Sequence, residues 1–293
     1  MIRLTVAELP RRALMGVVNV TPDSFSDGGR FAEAGDAVAH GLALAAAGAA
    51  VLDVGGESTR PGADPVDPAE ELRRTVPVVR ELAAAAGVPV SIDTTKAAVA
   101  AAALNAGAVM VNDVSGGVAD AGMLSVVADA GAMLVVMHTR GTPRTMRAEA
   151  RYDNVVAEVG DELRARVDAA LAAGVRADAL LADPGIGFAK TAEHNLALLA
   201  SLPALAARIE VPLLVGASRK SFLGRVLGDA PVDAREEATL AMTVWCFVHG
   251  AAVVRVHDVA SSRRACDLLG ALERATPDGL LSVGPDTTRG VAA

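Results

Sequence analysis

The chain has 293 residues, of which 52% are hydrophobic but only 2% aromatic, with 2 cysteines and a formal net charge of −8 at pH 7. That acidic balance excludes nucleic acid as an expected partner, because no broad positive field is available to meet a phosphate backbone. No uninterrupted apolar run reaches membrane-spanning length, Met1-Ile2-Arg3-Leu4 opens without the apolar core of a secretion signal, and the two cysteines lack metal-ligand spacing, so a cytoplasmic protein with no membrane partner is expected.

Short β-branched runs alternate with Ala-rich helical stretches along the whole chain. In order, the pattern predicts a strand at 14–19, a helix at 35–48, a strand at 50–54 and a helix at 67–85. A strand at 89–92, a helix at 95–106, a strand at 109–112 and a helix at 120–130 follow. The second half repeats the alternation, with strands at 133–137, 180–183, 212–216 and 252–256 and helices at 152–173, 192–207, 233–249 and 259–273. Gly48 and Gly107 sit where a helix hands over to a strand, and Pro89 and Pro212 open strands, where a missing N–H is tolerated. Eight βα units without a break in composition predict an α/β chain folded as one (β/α)8 TIM barrel over residues 1–276. The stretch 277–293, rich in Gly, Pro, Thr and Asp, reads as a flexible C-terminal tail.

The ends of the apolar runs carry the functional signal. They close on Asn19, Asp53, Asp93, Asn112, Asp183, Ser218-Arg219-Lys220 and Arg255-Val256-His257-Asp258. In a parallel barrel these ends meet at the mouth where chemistry is done. Asp93, Asn112 and Asp183 suit a flat heterocycle with several N–H donors, since a carboxylate accepts two parallel bonds and an amide both donates and accepts in one plane. Each residue taken alone also reads as a helix cap.

Asp183-Pro184-Gly185-Ile186-Gly187-Phe188 adds close backbone approach and an aromatic face for a ring, though a turn carrying a surface Phe is the plain alternative. Lys220 brings a point charge beside hydroxyls. Asn19, Arg60, Arg255 and His257 form an anion-binding set, with Asn19 offering a carbonyl oxygen to Mg2+ when phosphates fill most of its shell. Arg255 has a competing reading as a salt bridge to Asp258 or another acid. The other histidines (40, 138, 194 and 249) read as packing, caps or surface, with His138 expected at the mouth of the fifth strand. The loops 21–29 and 55–62 mix glycines, hydroxyls and charge, the make-up of segments that close on substrate.

Taken together, these residues resemble a known family. Met15-Gly16-Val17-Val18-Asn19-Val20-Thr21-Pro22-Asp23-Ser24-Phe25-Ser26-Asp27-Gly28-Gly29 is similar to the opening signature of bacterial dihydropteroate synthases. So are Gly56-Glu57-Ser58-Thr59-Arg60-Pro61-Gly62, Ile92-Asp93-Thr94, Val111-Asn112-Asp113-Val114-Ser115-Gly116-Gly117, Asp183 to Phe188, Ser218-Arg219-Lys220 and Arg255 to Asp258. The motifs run in order from about residue 13 to 275, one at nearly every strand end.

The resemblance implies a transferase of folate biosynthesis that joins p-aminobenzoate to 6-hydroxymethyl-7,8-dihydropterin diphosphate through an SN1-like C–O cleavage. By analogy Asp93, Asn112, Asp183 and Lys220 hold the pterin, while Asn19, Arg60, Arg255 and His257 take the diphosphate and Asn19 ligates Mg2+. Lys220, Asp183, Arg255 and His257 would carry catalysis. Phe25, Thr59, Pro61, Phe188 and Ser221 would shape the p-aminobenzoate pocket that sulfonamides occupy in this family. A homodimer built through helices away from the mouth is also implied. Two rival readings are a pterin-dependent methyltransferase on the same barrel, which would not need Arg60, Arg255 and His257 together, and a pterin-binding paralogue without turnover.

Overall fold

Eight parallel strands close into a barrel in chain order: β1 (Ala13–Asn19), β2 (Val51–Gly55), β3 (Val90–Asp93), β4 (Met110–Asp113), β5 (Met133–Met137), β6 (Leu180–Asp183), β7 (Leu213–Val215) and β8 (Ala251–Val256). The computed structural model describes residues 3–20 and 30–275. Closure comes from β8 pairing with β1, where Met15 stands opposite Arg255. The expected loop at 21–29, with Phe25, and the expected tail at 277–293 lie outside the described residues.

Strands buried on both faces need apolar residues at nearly every position, and the two-residue period then sorts them into two layers. Met15, Val51, Met110, Met133, Val135, Leu181, Leu214 and Val253 fill the barrel interior. Leu14, Leu52, Val54, Ile92, Val111, Leu134, Val136 and Leu180 turn outward into the helix layer. With so few aromatics, Met15, Met110 and Met133 share the interior with Val and Leu, and their flexible side chains adapt to an irregular space.

The helices are α1 (Arg30–Ala46), α2 (Pro68–Ala85), α3 (Ala97–Asn105), α4 (Met123–Ala130), α5 (Val155–Ala172), α6 (Ala192–Ala200), α7 (Leu202–Ile209), α8 (Ser221–Val226), α9 (Glu236–Val248) and α10 (Val259–Ala275). Helix α2 starts as its sequence dictates: Asp67 accepts from the Ala69 N–H at 2.8 Å and Pro68 occupies the first turn. One expectation is corrected. The stretch 192–207 is two helices, because the chain leaves helical geometry at Ser201 (φ −111°, ψ 18°) and Pro203 is accommodated in the first turn of α7. The short helix α8, inside the connection after β7, had no apolar period to announce it.

Candidate active site

The interior positions give the site its direction. Val51, Met110, Leu181 and Val253 face the barrel axis. The residues two further on, Asp53, Asn112, Asp183 and Arg255, therefore also face it, at the mouth. Register reinforces this arrangement. Asn19 lies opposite Gly55, Gly55 opposite Asp93, and Asp93 opposite Asn112, so four strands present one row at one height. Gly55 leaves that row open beside Asp93, whose Cβ would stand 3.5 Å from any side chain introduced there.

A hydrogen-bonded chain crosses the floor of the mouth. Asp53, fully buried, accepts at Oδ2 from Asn112 Nδ2 at 2.9 Å and from Arg255 Nε at 2.7 Å. Arg255 Nη2 then donates to Asp93 Oδ2 at 2.9 Å. Arg255 makes the salt bridge that one of its sequence readings allowed, with Asp53 and Asp93 as its acids rather than Asp258. Asp53 Oδ1 is buried with no partner among the described residues, so acceptor capacity remains on this floor. Burial pushes the Asp93 carboxyl up to about 7, against the pull of Arg255.

Asp183 stands on the other side of the floor. Its Oδ1 accepts from the Gly185 N–H at 2.7 Å, and burial pushes its carboxyl up to about 6. Lys220 arrives from the turn after β7, which is bent by Arg219 in the left-handed region (φ 58°). Its Nζ lies 4.2 Å from the centre of the Phe188 ring, a cation–π contact. Burial pulls Lys220 down to about 8, with Arg255 acting in the same sense and Asp183 and Asp93 opposing. Asp183, Lys220 and Arg255 therefore share one electrostatic neighbourhood.

At the rim, Ser218 defines the state of His257. Its Oγ accepts from the His257 backbone N–H at 3.3 Å and lies 2.9 Å from His257 Nδ1. With the Ser218 hydroxyl donating to Nδ1, the neutral imidazole presents its proton on Nε2 as a donor. Burial, with Arg255, Arg219, Lys220 and Arg60 nearby, pulls His257 down to about 3. Four cationic groups thus act on one neutral imidazole, two of them (Arg219 and Arg255) already paired with acids, and a rim of this charge suits an anion.

The β2 loop supplies Arg60 and Pro61, both exposed, and half-buried Thr59. Thr59 lines a cavity of about 70 Å³ with Glu57, Glu71, Asp93, Thr94 and Pro143. Lys96 bridges Glu57 to buried Glu71, and the Gly62 N–H donates to the Pro143 carbonyl at 2.9 Å, so the loop is tied to α2 and to the β5 loop. Asn19 is half-buried and Ser221 exposed at the mouth end.

Four residues escaped a functional reading from sequence. Asp53 was visible as the polar end of an apolar run but had no motif to assign it, and only the barrel shows it joining Asn112 to Arg255. Lys96 and Glu71 lie on helical stretches where charge reads as solvated surface. His138, expected at the mouth, instead follows outward-facing Leu134 and Val136 by the same period and packs into the helix layer, fully buried.

Comparison with known proteins follows from this geometry. Residues 15–257 match the family described as pterin binding enzyme. The chain is 56% identical over 270 residues to dihydropteroate synthase of Mycobacterium leprae, covering 90% of this chain and 94% of that one. Among solved structures, dihydropteroate synthase of Xanthomonas albilineans with 4-aminobenzoic acid superposes with a TM-score of 0.85 at 45% identity, covering 92% of this chain and 95% of that one. The same enzyme in complex with 7,8-dihydropteroate superposes with a TM-score of 0.82 at 43% identity, over 92% and 96% of the two chains. A family match across most of the barrel and a relative this similar over nearly its full length make the chain a member of the dihydropteroate synthase family.

Proposed function

We propose that this chain condenses 6-hydroxymethyl-7,8-dihydropterin diphosphate with p-aminobenzoate, giving 7,8-dihydropteroate and diphosphate. One observation carries the reading: an acid-and-amide floor (Asp53, Asp93, Asn112, Asp183) meets a cationic rim (Arg60, Arg219, Lys220, Arg255) within a single mouth. A pterin offers an amino group and ring N–H donors to the floor, and a diphosphate offers its oxygens to the rim. The methyltransferase reading leaves the rim without a ligand.

In this scheme Asp93, Asn112 and Asp183 accept from the pterin, and Lys220 donates to it. Carboxylates around the heterocycle favour the electron-poor pterin-methyl cation that forms as the C–O bond breaks. The bonding pair leaves with diphosphate, whose growing charge is met by Arg60, Arg255 and the His257 Nε2–H. Arg255, held by Asp53 and Asp93, spans both halves of the mouth. The aniline nitrogen of p-aminobenzoate then forms the C–N bond and sheds a proton. It is neutral at pH 7 and needs no strong base. Thr59, Pro61, Phe188 and Ser221 border the space assigned to that ring.

The donor chemistry also fits Mg2+ arriving with its diphosphate. No group of three or more His, Cys, Asp or Glu among the described residues is placed to hold a metal ion, whereas the Asn19 carboxamide oxygen is a hard donor of the kind Mg2+ takes singly when phosphate and water complete its shell. Mg2+ so held supplies charge neutralisation on the leaving diphosphate. A homodimer through the outer helices is part of the proposal, supported by exposed Trp245 on α9 and Leu268 on α10. A cytoplasmic setting suits the two free, buried cysteines.

Calorimetry with the pterin diphosphate and Mg2+, followed by p-aminobenzoate and a diphosphate assay, tests the reading. Stoichiometric diphosphate release dependent on p-aminobenzoate is expected. Pterin binding without release would favour a non-catalytic paralogue.

A further inference from the structure

Behind the pterin side of the mouth lies a set of ionisable groups that the proposed chemistry does not use. His138 is fully buried just beyond β5, and its Nε2 lies 3.0 Å from Glu162 Oε2 on α5. Its Nδ1 lies 2.9 Å from Lys190 Nζ. The same Nζ lies 2.9 Å from the Phe188 carbonyl oxygen and 3.4 Å from the His138 carbonyl oxygen. An ammonium has three protons and no acceptor, so these three oxygen and nitrogen acceptors account for all of its donors. With Nδ1 accepting from Lys190, His138 must carry its proton on Nε2 and donate it to Glu162. The result is a directed relay from Lys190 through His138 to the Glu162 carboxylate.

The relay ends on the segment that forms one wall of the site. The His138 N–H donates to the Asp183 carbonyl at 2.9 Å, and the Tyr152 hydroxyl donates to the Ala189 carbonyl at 3.0 Å. A Cβ on Gly185 would stand 1.9 Å from the His138 carbonyl oxygen, so loop and strand end are in direct backbone contact. Lys190 therefore fastens the Phe188 carbonyl to β5, while the Phe188 ring lies against Lys220 Nζ.

We propose that Lys190 is a positioning residue for the pterin grip: through His138 and Glu162 it holds the 183–189 loop, and with it the Phe188 ring and Lys220, in binding geometry. This inference rests on the pterin-binding reading above. It places a positioning device in the helix layer, outside the substrate-lining residues. Burial pulls His138 down to about 4 and Lys190 down to about 7. Asp183 of β6 and Glu162 of α5 oppose the lowering of Lys190, while Arg166 of α5 and Arg140 of the β5 loop add to it. Tyr152 also packs against the set, with Arg140 over its ring. Between those two values the relay exists as ammonium, neutral imidazole and carboxylate.

Two measurements test it. At about pH 5.5, between the two values, long-range ¹H–¹⁵N spectra of the wild-type protein should show His138 as the neutral Nε2–H tautomer. An Nδ1–H tautomer there would overturn the relay without any substitution. Calorimetry on Lys190→Met should show the Kd for 6-hydroxymethyl-7,8-dihydropterin rising about tenfold or more, on the scale of losing a charge-assisted hydrogen bond, with the Kd for inorganic diphosphate unchanged. Wild-type pterin affinity in the variant, or equal losses for both ligands, would refute the positioning role. Failure of the wild-type protein to bind the pterin would instead refute the functional reading on which the role rests, and the spectra would still report on the relay itself.

Discussion

Asp93→Asn is the sharpest test of how the floor is built. Asp93 is 9% exposed and burial raises its carboxyl to about 7, compared with roughly 3.9 for an unfolded aspartate. A carboxyl raised on folding contributes stability that is fully present below the unfolded value and is lost as pH rises through about 7. Ionised Asp93 therefore costs the ligand-free protein stability above about pH 7, on the order of a few kcal/mol. Asparagine keeps an acceptor for Arg255 Nη2 and removes the titration. Its stability advantage over wild type should grow by about 3 kcal/mol between roughly pH 5 and pH 8, which is several degrees in Tm at ~2–4 °C per kcal/mol for a chain of this size. Asp183, raised to about 6, is common to both proteins and cancels. The same substitution should weaken pterin binding by about tenfold or more, because one carboxylate acceptor is gone. Thermal unfolding across pH, with calorimetry at pH 8, reads both effects. A variant less stable than wild type at pH 8, or a stability difference that ignores pH, would refute the account of the floor.

Further predictions follow from the same geometry. Arg255→Met leaves Asp53 and Asp93 buried without their cation and should destabilise the fold by about 3–5 kcal/mol in denaturant unfolding, with part of the loss recovered at acid pH as the Asp93 carboxyl protonates. His257→Ala should weaken diphosphate affinity while leaving pterin affinity as in wild type. Because His257 is held neutral down to about 3, wild-type diphosphate affinity should show no inflection near pH 6.5 from this group, as titration calorimetry across pH can establish. Gly185→Ala would put a Cβ 1.9 Å from the His138 carbonyl oxygen at φ +68°, and should cost more than about 3 kcal/mol in thermal or chemical unfolding, with pterin binding lost alongside.

Much of this molecule was written locally. An apolar run that closes on a polar residue announces a buried strand with its end at the barrel mouth, and Asn19, Asp93, Asn112 and Asp183 were legible as such strand ends without coordinates. The helix-to-strand alternation announced a barrel because each βα unit buries its own apolar face. The Gly-rich motifs resembled those of one family in their order along the chain. Tertiary structure decided the rest, since it depended on residues far apart in sequence. Closure of β8 onto β1 brings Arg255 to Asp53 and Asp93, 202 and 162 positions away, so its salt-bridge partners could not be read from neighbours. The two-residue period fixed by the interior methionines turned His138 away from the mouth and into a relay with Lys190. A sequence states which side chains are polar and where strands end; strand register and barrel closure determine which of them share a dielectric environment, and hence their charge and their partners.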